Sequence, residues 1–520
     1  MNFNNLDKTL AFGDLRKLDR VSLKNNLTAK RISTYTACAG ADLTYNYAAM
    51  PVNNEIIDKL QELCDEQELV EKYIELLSGE MMNTGEKRLV LHHLTRGNCT
   101  GKKVIADGED KEEFYKGELE KIKDFSEKVR SGKIKGSTGK KIDTVCQIGI
   151  GGSDLGPRAL YLALKGWAAG ENVKQLRAEF ISNVDPDDAA GVLKTIDPEK
   201  TLFILVSKSG TTLETLTNQM LVTRSLKGVD PAKHLVAVTS KTSPLASSKD
   251  VLTSFFIDDY IGGRYSSTSA VGAVILSLAF GFETFASLLE GAHEADNNAL
   301  NGDIRKNAAM MDAAIGVYLR NVLGCKETTI LPYSQALCRF PAHLQQLDME
   351  SNGKHVNRNG EKVDYETGPV IFGESGTNGQ HSFYQLLHQG TDMIPMQFIG
   401  FRNSQYGFDT EVEGSTSQKK LNANLAAQIV AFALGKDNEN PNKQFDGERC
   451  SSLLYADRLT PKTLGALLSH YENKVMFQGF LWNLNSFDQE GVQLGKVLAK
   501  KVLAGCEGDE VLKAYADILI

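Results

Sequence analysis

Residues 205–218, LVSKSGTTLETLTN, set Ser207, Lys208, Ser209, Gly210, Thr211 and Thr212 between an apolar run and a helix-patterned segment. Backbone N–H groups at a helix start, joined by hydroxyls, bind a phosphate dianion, and glycine permits the close approach. A second loop, IGIGGSDLGPRAL (148–160), leaves another apolar run with Gly149, Gly151 and Gly152, then Ser153 and Pro157. Neither loop is a nucleotide motif. G-x-G-x-x-G counted from Gly149 fails at Asp154, and no G-x-x-x-x-G-K-[ST] occurs. One such loop alone also reads as a tight strand–helix turn. The hydroxyls of Ser207, Ser209, Thr211 and Thr212 tip the 205–218 loop toward the phosphate of a small molecule.

Three other segments concentrate polar groups. GGRYSSTSAVG (262–272) carries Arg264, MESNGKHV (349–356) carries Glu350, and GESGTNGQHSFYQLLHQG (373–390) carries His381 near a helix start. A carboxylate can move one proton between adjacent carbons through an enediol(ate), as aldose–ketose isomerisation requires. A fixed cation steadies the developing oxyanion. Opening a cyclic sugar needs a second acid/base, and histidine suits that at neutral pH. Taken singly, each residue has a plainer reading. Glu350 is one of many carboxylates, Arg264 has Asp258 and Asp259 as nearby partners, and His381 suits a cap or a core. His388 reads as structural.

The elements around these residues follow from the hydrophobic pattern. Short β-rich runs at 144–150, 178–184, 201–206, 235–239 and 254–258 alternate with helix-length segments such as 158–168 and 212–226. That alternation predicts a parallel sheet covered on both faces, with ligands at the strands' carboxyl ends. A less regular series at 327–333, 370–373 and 393–401 predicts a second α/β unit. Residues 109–141 read as a solvated amphipathic helix followed by a Gly/Lys loop, 435–449 as an exposed loop, and the tail from Thr460 as helical.

At 520 residues the chain exceeds what one core normally holds. Its net charge of −8, with acids and bases interspersed, argues against nucleic-acid binding as a main activity. The cysteines (Cys38, Cys64, Cys99, Cys146, Cys325, Cys338, Cys450 and Cys506) are scattered without a CxxC pair, as in a reducing compartment. The first twenty residues lack a signal peptide's apolar block. The longest apolar run, Ala270 to Phe280, is too short to span a bilayer. A cytoplasmic protein without a membrane partner is expected.

IGIGGSDLGP, SKSGTTLET, GGRYSSTSAVG, MESNGK, GQHSFYQLLHQG and FDQEGVQLGK occur together in this order. In that, nearly the whole chain resembles the glucose-6-phosphate isomerase (phosphoglucose isomerase) family. The resemblance implies an α/β fold of two sugar-isomerase-type αβα sandwich domains, with parallel-dominated sheets and helical N- and C-terminal extensions. Residues 1–110 would be a helical extension packing on the large domain, 111–288 the smaller domain, and 289–520 the larger one with C-terminal helices. It further implies a homodimer with a shared active site, no metal and no cofactor. The reaction implied is interconversion of glucose 6-phosphate and fructose 6-phosphate in glycolysis and gluconeogenesis.

Roles carry over where residues match. Glu350 corresponds to the shuttle base, Arg264 to the enediolate cation, and His381 to the ring-opening residue, supplied by the partner subunit. Lys496 corresponds to the histidine's ring-opening companion and Glu214 to the carboxylate orienting that histidine. Ser207, Lys208 (through its backbone), Ser209 and Thr212 form the phosphate cradle, while Gly152, Ser153 and Gln489 are further substrate contacts. Two positions depart from the pattern. Gln493 replaces the family's glutamate one helical turn before Lys496, and Ser267 and Thr268 follow Tyr265 where an apolar Leu-Trp pair is commoner, so local packing should differ there. Three other readings stand beside this one: a non-catalytic sugar-phosphate-binding regulator, a metal-dependent hydride-shift isomerase, and an isomerase of broader sugar-phosphate specificity.

Overall fold

The computed structural model describes residues 1–520. Two short strands, β1 (Thr36–Cys38) and β2 (Thr44–Asn46), come first. They precede β3 (Thr144–Ile148), β4 (Arg177–Ile181), β5 (Thr201–Val206), β6 (Leu235–Ser240) and β7 (Thr253–Ile257). These five form one wholly parallel sheet in the order β4-β3-β5-β6-β7. Every residue of β5 is buried, as expected of a central strand covered on both faces.

The second sheet takes β8 (Glu327–Pro332), β9 (Val370–Gly373), β10 (Met396–Asn403) and β11 (Ser451–Arg458). Its order is β1-β2-β11-β10-β8-β9, parallel from β11 to β9 and antiparallel at β1 and β2. The structure therefore differs from the sequence reading in two places. Residues 36–46 are a hairpin completing this sheet, so the N-terminal segment is not wholly helical. Strand β11 was not anticipated, because SSLLYADR mixes small and charged residues instead of presenting an apolar run.

Helices pack on both sheets: α1 (Lys111–Ser131), α2 (Leu155–Gly170), α3 (Leu213–Ser225), α4 (Ala270–Phe280), α5 (Phe282–Asn298), α6 (Ala308–Asn321) and α7 (Pro461–Leu481). The apolar run of α4 is buried at every position, against α1 and α2. In α7 every residue but Lys462 is buried, where it packs against α5 and α6. A single hydrophobic core joins Val145, Leu202 and Ile204 of the first sheet to Ile330, Ile399 and Leu454 of the second. The last two helices, α8 (Gln493–Leu503) and α9 (Glu510–Leu519), bury no residue of their own. No helix is long and apolar enough to cross a membrane.

Candidate active site

The two glycine-containing turns interlock first. A Cβ on Gly152 would stand 2.2 Å from the backbone of Gly263, so only glycine lets the 151–153 turn touch the turn that carries Arg264. Arg264 is 1% exposed. Its Nε donates to Ser351 Oγ at 2.6 Å, and its Nη2 donates to the carbonyls of Ser486 at 2.6 Å and Asp488 at 2.9 Å. Tyr265 Oη lies 3.0 Å from the same Ser351 hydroxyl. With these bonds made, the guanidinium is held rigidly, and Nη1 alone faces Glu350 Oε2, 3.7 Å away.

Glu350 closes a single widened turn, Gln346–Glu350, in which the helix accommodates an extra residue. Such π-turns cost hydrogen-bond regularity and recur at functional positions. The turn directs Asp348 into the interior and Glu350 toward Arg264, where Oε2 is buried without a hydrogen-bond partner. Burial pushes Asp348 up to about 7, with Lys474 opposing and Asp312 reinforcing the shift. Lys354 donates to the Glu350 carbonyl at 3.0 Å and to Asp488 Oδ1 at 2.7 Å.

The 207–212 loop runs from β5 into α3. Ser207 Oγ accepts from the Gly210 N–H at 3.1 Å and pairs with Thr212 Oγ1 at 3.0 Å. Ser209 Oγ accepts from both the N–H and the hydroxyl of Thr211, and Gly210 takes a φ of +66°. Hydroxyls and main-chain donors are thus gathered at the N-terminus of a thirteen-residue helix. Ser153 is partly exposed on the neighbouring turn, and its carbonyl accepts from Gln147.

The remaining candidates stand apart from this cluster. His381 is exposed on the turn after β9, and Gln489 and Lys496 are exposed at and beyond the 488–492 turn. Glu214 is partly exposed in the first turn of α3. None of the four forms a hydrogen bond or ion pair with Glu350 or Arg264 within one chain. Asp258 and Asp259 are not partners of Arg264: Asp258 accepts from Tyr115, and Asp259 lies by Lys208 and Arg88. His388 stacks on Phe432 at 3.8 Å and meets Gln428, as a structural residue would. No three His, Cys, Asp or Glu side chains converge in a metal-binding group.

The sequence profile of phosphoglucose isomerase matches residues 46–517. Over the full length of both chains, the sequence is 61% identical to a glucose-6-phosphate isomerase of Treponema denticola. It is 49% identical to one from Borreliella afzelii, covering 99% of this chain and 98% of that protein. This chain belongs to the phosphoglucose isomerase family. The crystal structure of a glucose-6-phosphate isomerase from Chlamydia trachomatis superposes with a TM-score of 0.92 at 41% identity, over 99% of each chain.

Within this phosphoglucose isomerase fold, Ser267 and Thr268 are buried. Ser267 Oγ would lie 2.0 Å from a Cβ at Gly156, and Thr95 Oγ1 donates to Thr268 Oγ1 at 2.9 Å. The two hydroxyl residues are thus packed against Gly156 and Thr95. Gln493 and Lys496 both face solvent in the single chain. Sequence reasoning missed Ser351, Lys354, Ser486 and Asp488, although all four lie in or beside motifs already singled out. Two of them act through main-chain carbonyls, which residue type does not reveal.

Proposed function

We propose that this chain interconverts glucose 6-phosphate and fructose 6-phosphate by ring opening and proton transfer, with Glu350 as the shuttle base. The observation that carries the reading is the facing of Arg264 Nη1 and Glu350 Oε2 at 3.7 Å, with that carboxylate oxygen buried and free of any hydrogen bond. The cradle residues Ser207, Ser209 and Thr212, with the main chain of Lys208, hold the phosphate. Gly152, Ser153 and Gln489 line the sugar. His381 and Lys496 move the proton that opens the ring, and Glu214 orients the histidine. Glu350 then takes the proton from C2 of the open aldose, and the C2–H electron pair becomes the C1–C2 double bond of an enediolate. The C1 carbonyl pair moves onto O1, where Arg264 steadies the charge; the O2 hydroxyl proton then passes to O1, and Glu350 returns its proton to C1 as the C2 carbonyl forms.

The active form we propose is a homodimer, with His381 entering the partner's site. Its support is the apolar surface left on the last helices of one chain: Leu494 is 70% exposed, Val511 72% and Ile518 76%. We further propose residues 111–288 and 289–520 as the two αβα units, with the protein acting in the cytoplasm.

The test is a coupled assay from fructose 6-phosphate through a glucose-6-phosphate dehydrogenase, read as NADPH. Wild-type turnover together with a kcat loss of roughly a thousandfold or more in Glu350→Gln, at little-changed KM, supports the reading. Tight binding of fructose 6-phosphate without turnover would instead favour the regulator.

A further inference from the structure

Asp488 connects to both reacting groups at once. Its carbonyl accepts from Arg264 Nη2 at 2.9 Å and from Lys354 Nζ at 3.4 Å, while its carboxylate takes Lys354 on Oδ1 at 2.7 Å. The other carboxylate oxygen accepts from Asn485 Nδ2 at 2.8 Å, and Asn485 reaches Asn83 at 3.0 Å. Lys354, four residues past Glu350, also donates to the Glu350 carbonyl at 3.0 Å. A shift of either member of the pair therefore moves the base and the cation relative to one another.

We propose that Lys354 and Asp488 are positioning residues for the isomerisation, a brace that sets the gap between Glu350 and Arg264 and fixes the root of the segment bearing Gln489 and Lys496. The proposal rests on the reading of Glu350 as the shuttle base. Neither residue touches substrate in this assignment. Both side chains are 18% exposed, so Lys354→Met or Asp488→Asn leaves a largely buried partner unpaired and lowers stability in its own right. A displacement of about 1 Å at reacting groups, by contrast, costs on the order of a hundredfold in rate. The loss in turnover is thus expected to exceed what the melting temperature accounts for, and Lys354→Arg, which keeps the pair, separates the two. The phosphate cradle makes no bond to the brace, so the phosphate's share of the substrate affinity should persist, with Gln489 the one sugar contact at stake.

The experiment compares wild type, Lys354→Met, Lys354→Arg, Asp488→Asn and the Lys354→Met/Asp488→Asn double variant, with kcat and KM for fructose 6-phosphate and a melting temperature for each. We expect kcat to fall roughly 10- to 100-fold in Lys354→Met and Asp488→Asn, with KM within about threefold of wild type. Lys354→Arg should recover most of the rate, and the double variant should be no slower than the worse single one. A Lys354→Met kcat within twofold of wild type would overturn the brace. So would a loss confined to KM, or losses that track melting temperature with no recovery in Lys354→Arg. Absence of wild-type turnover would overturn the isomerase reading and the brace with it, whereas an active wild type beside unaffected variants sinks the brace alone.

Discussion

The Lys208 ammonium turns away from its own loop and ends 3.7 Å from Asp259, with its best hydrogen bond to the carbonyl of Ile261 at 3.4 Å. Burial lowers its pKa, and Asp259 works against that. The side chain therefore tethers the loop to the end of β7, leaving the backbone N–H free for an anion. Lys208→Met should raise KM for fructose 6-phosphate less than about threefold, because a partly exposed pair contributes little. Thr212→Val, which removes a hydroxyl from the cradle, should raise it by roughly tenfold, one charge-assisted hydrogen bond. If Lys208→Met proves the more damaging, the ammonium itself binds phosphate.

Gly152→Ala should fail for steric reasons. The new methyl would overlap the Gly263 carbonyl carbon and oxygen, both 2.2 Å away and both backbone. Overpacking of this sort costs roughly 1–3 kcal/mol, and the displaced 263–268 turn takes Arg264 with it. The expected result is a lowered melting temperature and a fall in kcat. Gly191→Ala, in the helical segment Pro186–Leu193 with no atom within 4 Å of its Cβ, is the control that should lower neither.

Asp348 makes a signed prediction about pH. Its folded value of about 7 lies above the ordinary 3.8. Between those values the native state keeps a proton that the unfolded chain has released. This group's contribution to stability therefore falls as pH rises from about 4 to 7, and the full penalty applies above 7. The charges facing it are Lys474 and Asp312, and Asp312 itself is held at about 2 because Lys474, His470 and Gln397 outweigh the effect of its burial. Asp348→Asn should gain on wild type as pH rises, by roughly 1–3 kcal/mol at pH 8 relative to pH 4.5. Urea midpoints that stay parallel between the two proteins across this range would contradict it.

The proposed sharing of the site between two subunits predicts complementation. Glu350→Gln and His381→Ala homodimers should each be nearly inactive. Dissociated and reassociated together, they form heterodimers in which one site combines Glu350 of one chain with His381 of the other. Recovered activity should approach a quarter of wild type, since half the dimers are mixed and each holds one intact site. Confirmed heterodimers without activity would place His381 elsewhere.

The parts of the molecule legible in the sequence are those where residue type and position act together. Thr201–Val206 is apolar throughout and is buried throughout, so its place in the sheet could be read directly. Arg264 and Glu350, singled out from separate motifs, lie 3.7 Å apart. Strand β11 escaped because its half-polar sequence is held by pairing with β10 and β2, a non-local cause. The Arg264 anchors escaped for a similar reason: Ser486 and Asp488 offer carbonyls that every residue possesses, and only the folded chain shows which ones point inward.

The uninterrupted interior linking Val145 and Leu202 to Ile330 and Ile399 bears on how a hexose could enter. Two slabs fused through a common oily centre cannot swing apart like jaws without wetting it, and that cost exceeds what a small anion's binding returns. Admission is left to pieces lying outside that centre, namely the exposed tip at Ser209 and Thr211 and the segment from Gln489 to Lys496. Small-angle scattering curves recorded with and without a bound sugar-phosphate inhibitor should accordingly overlay.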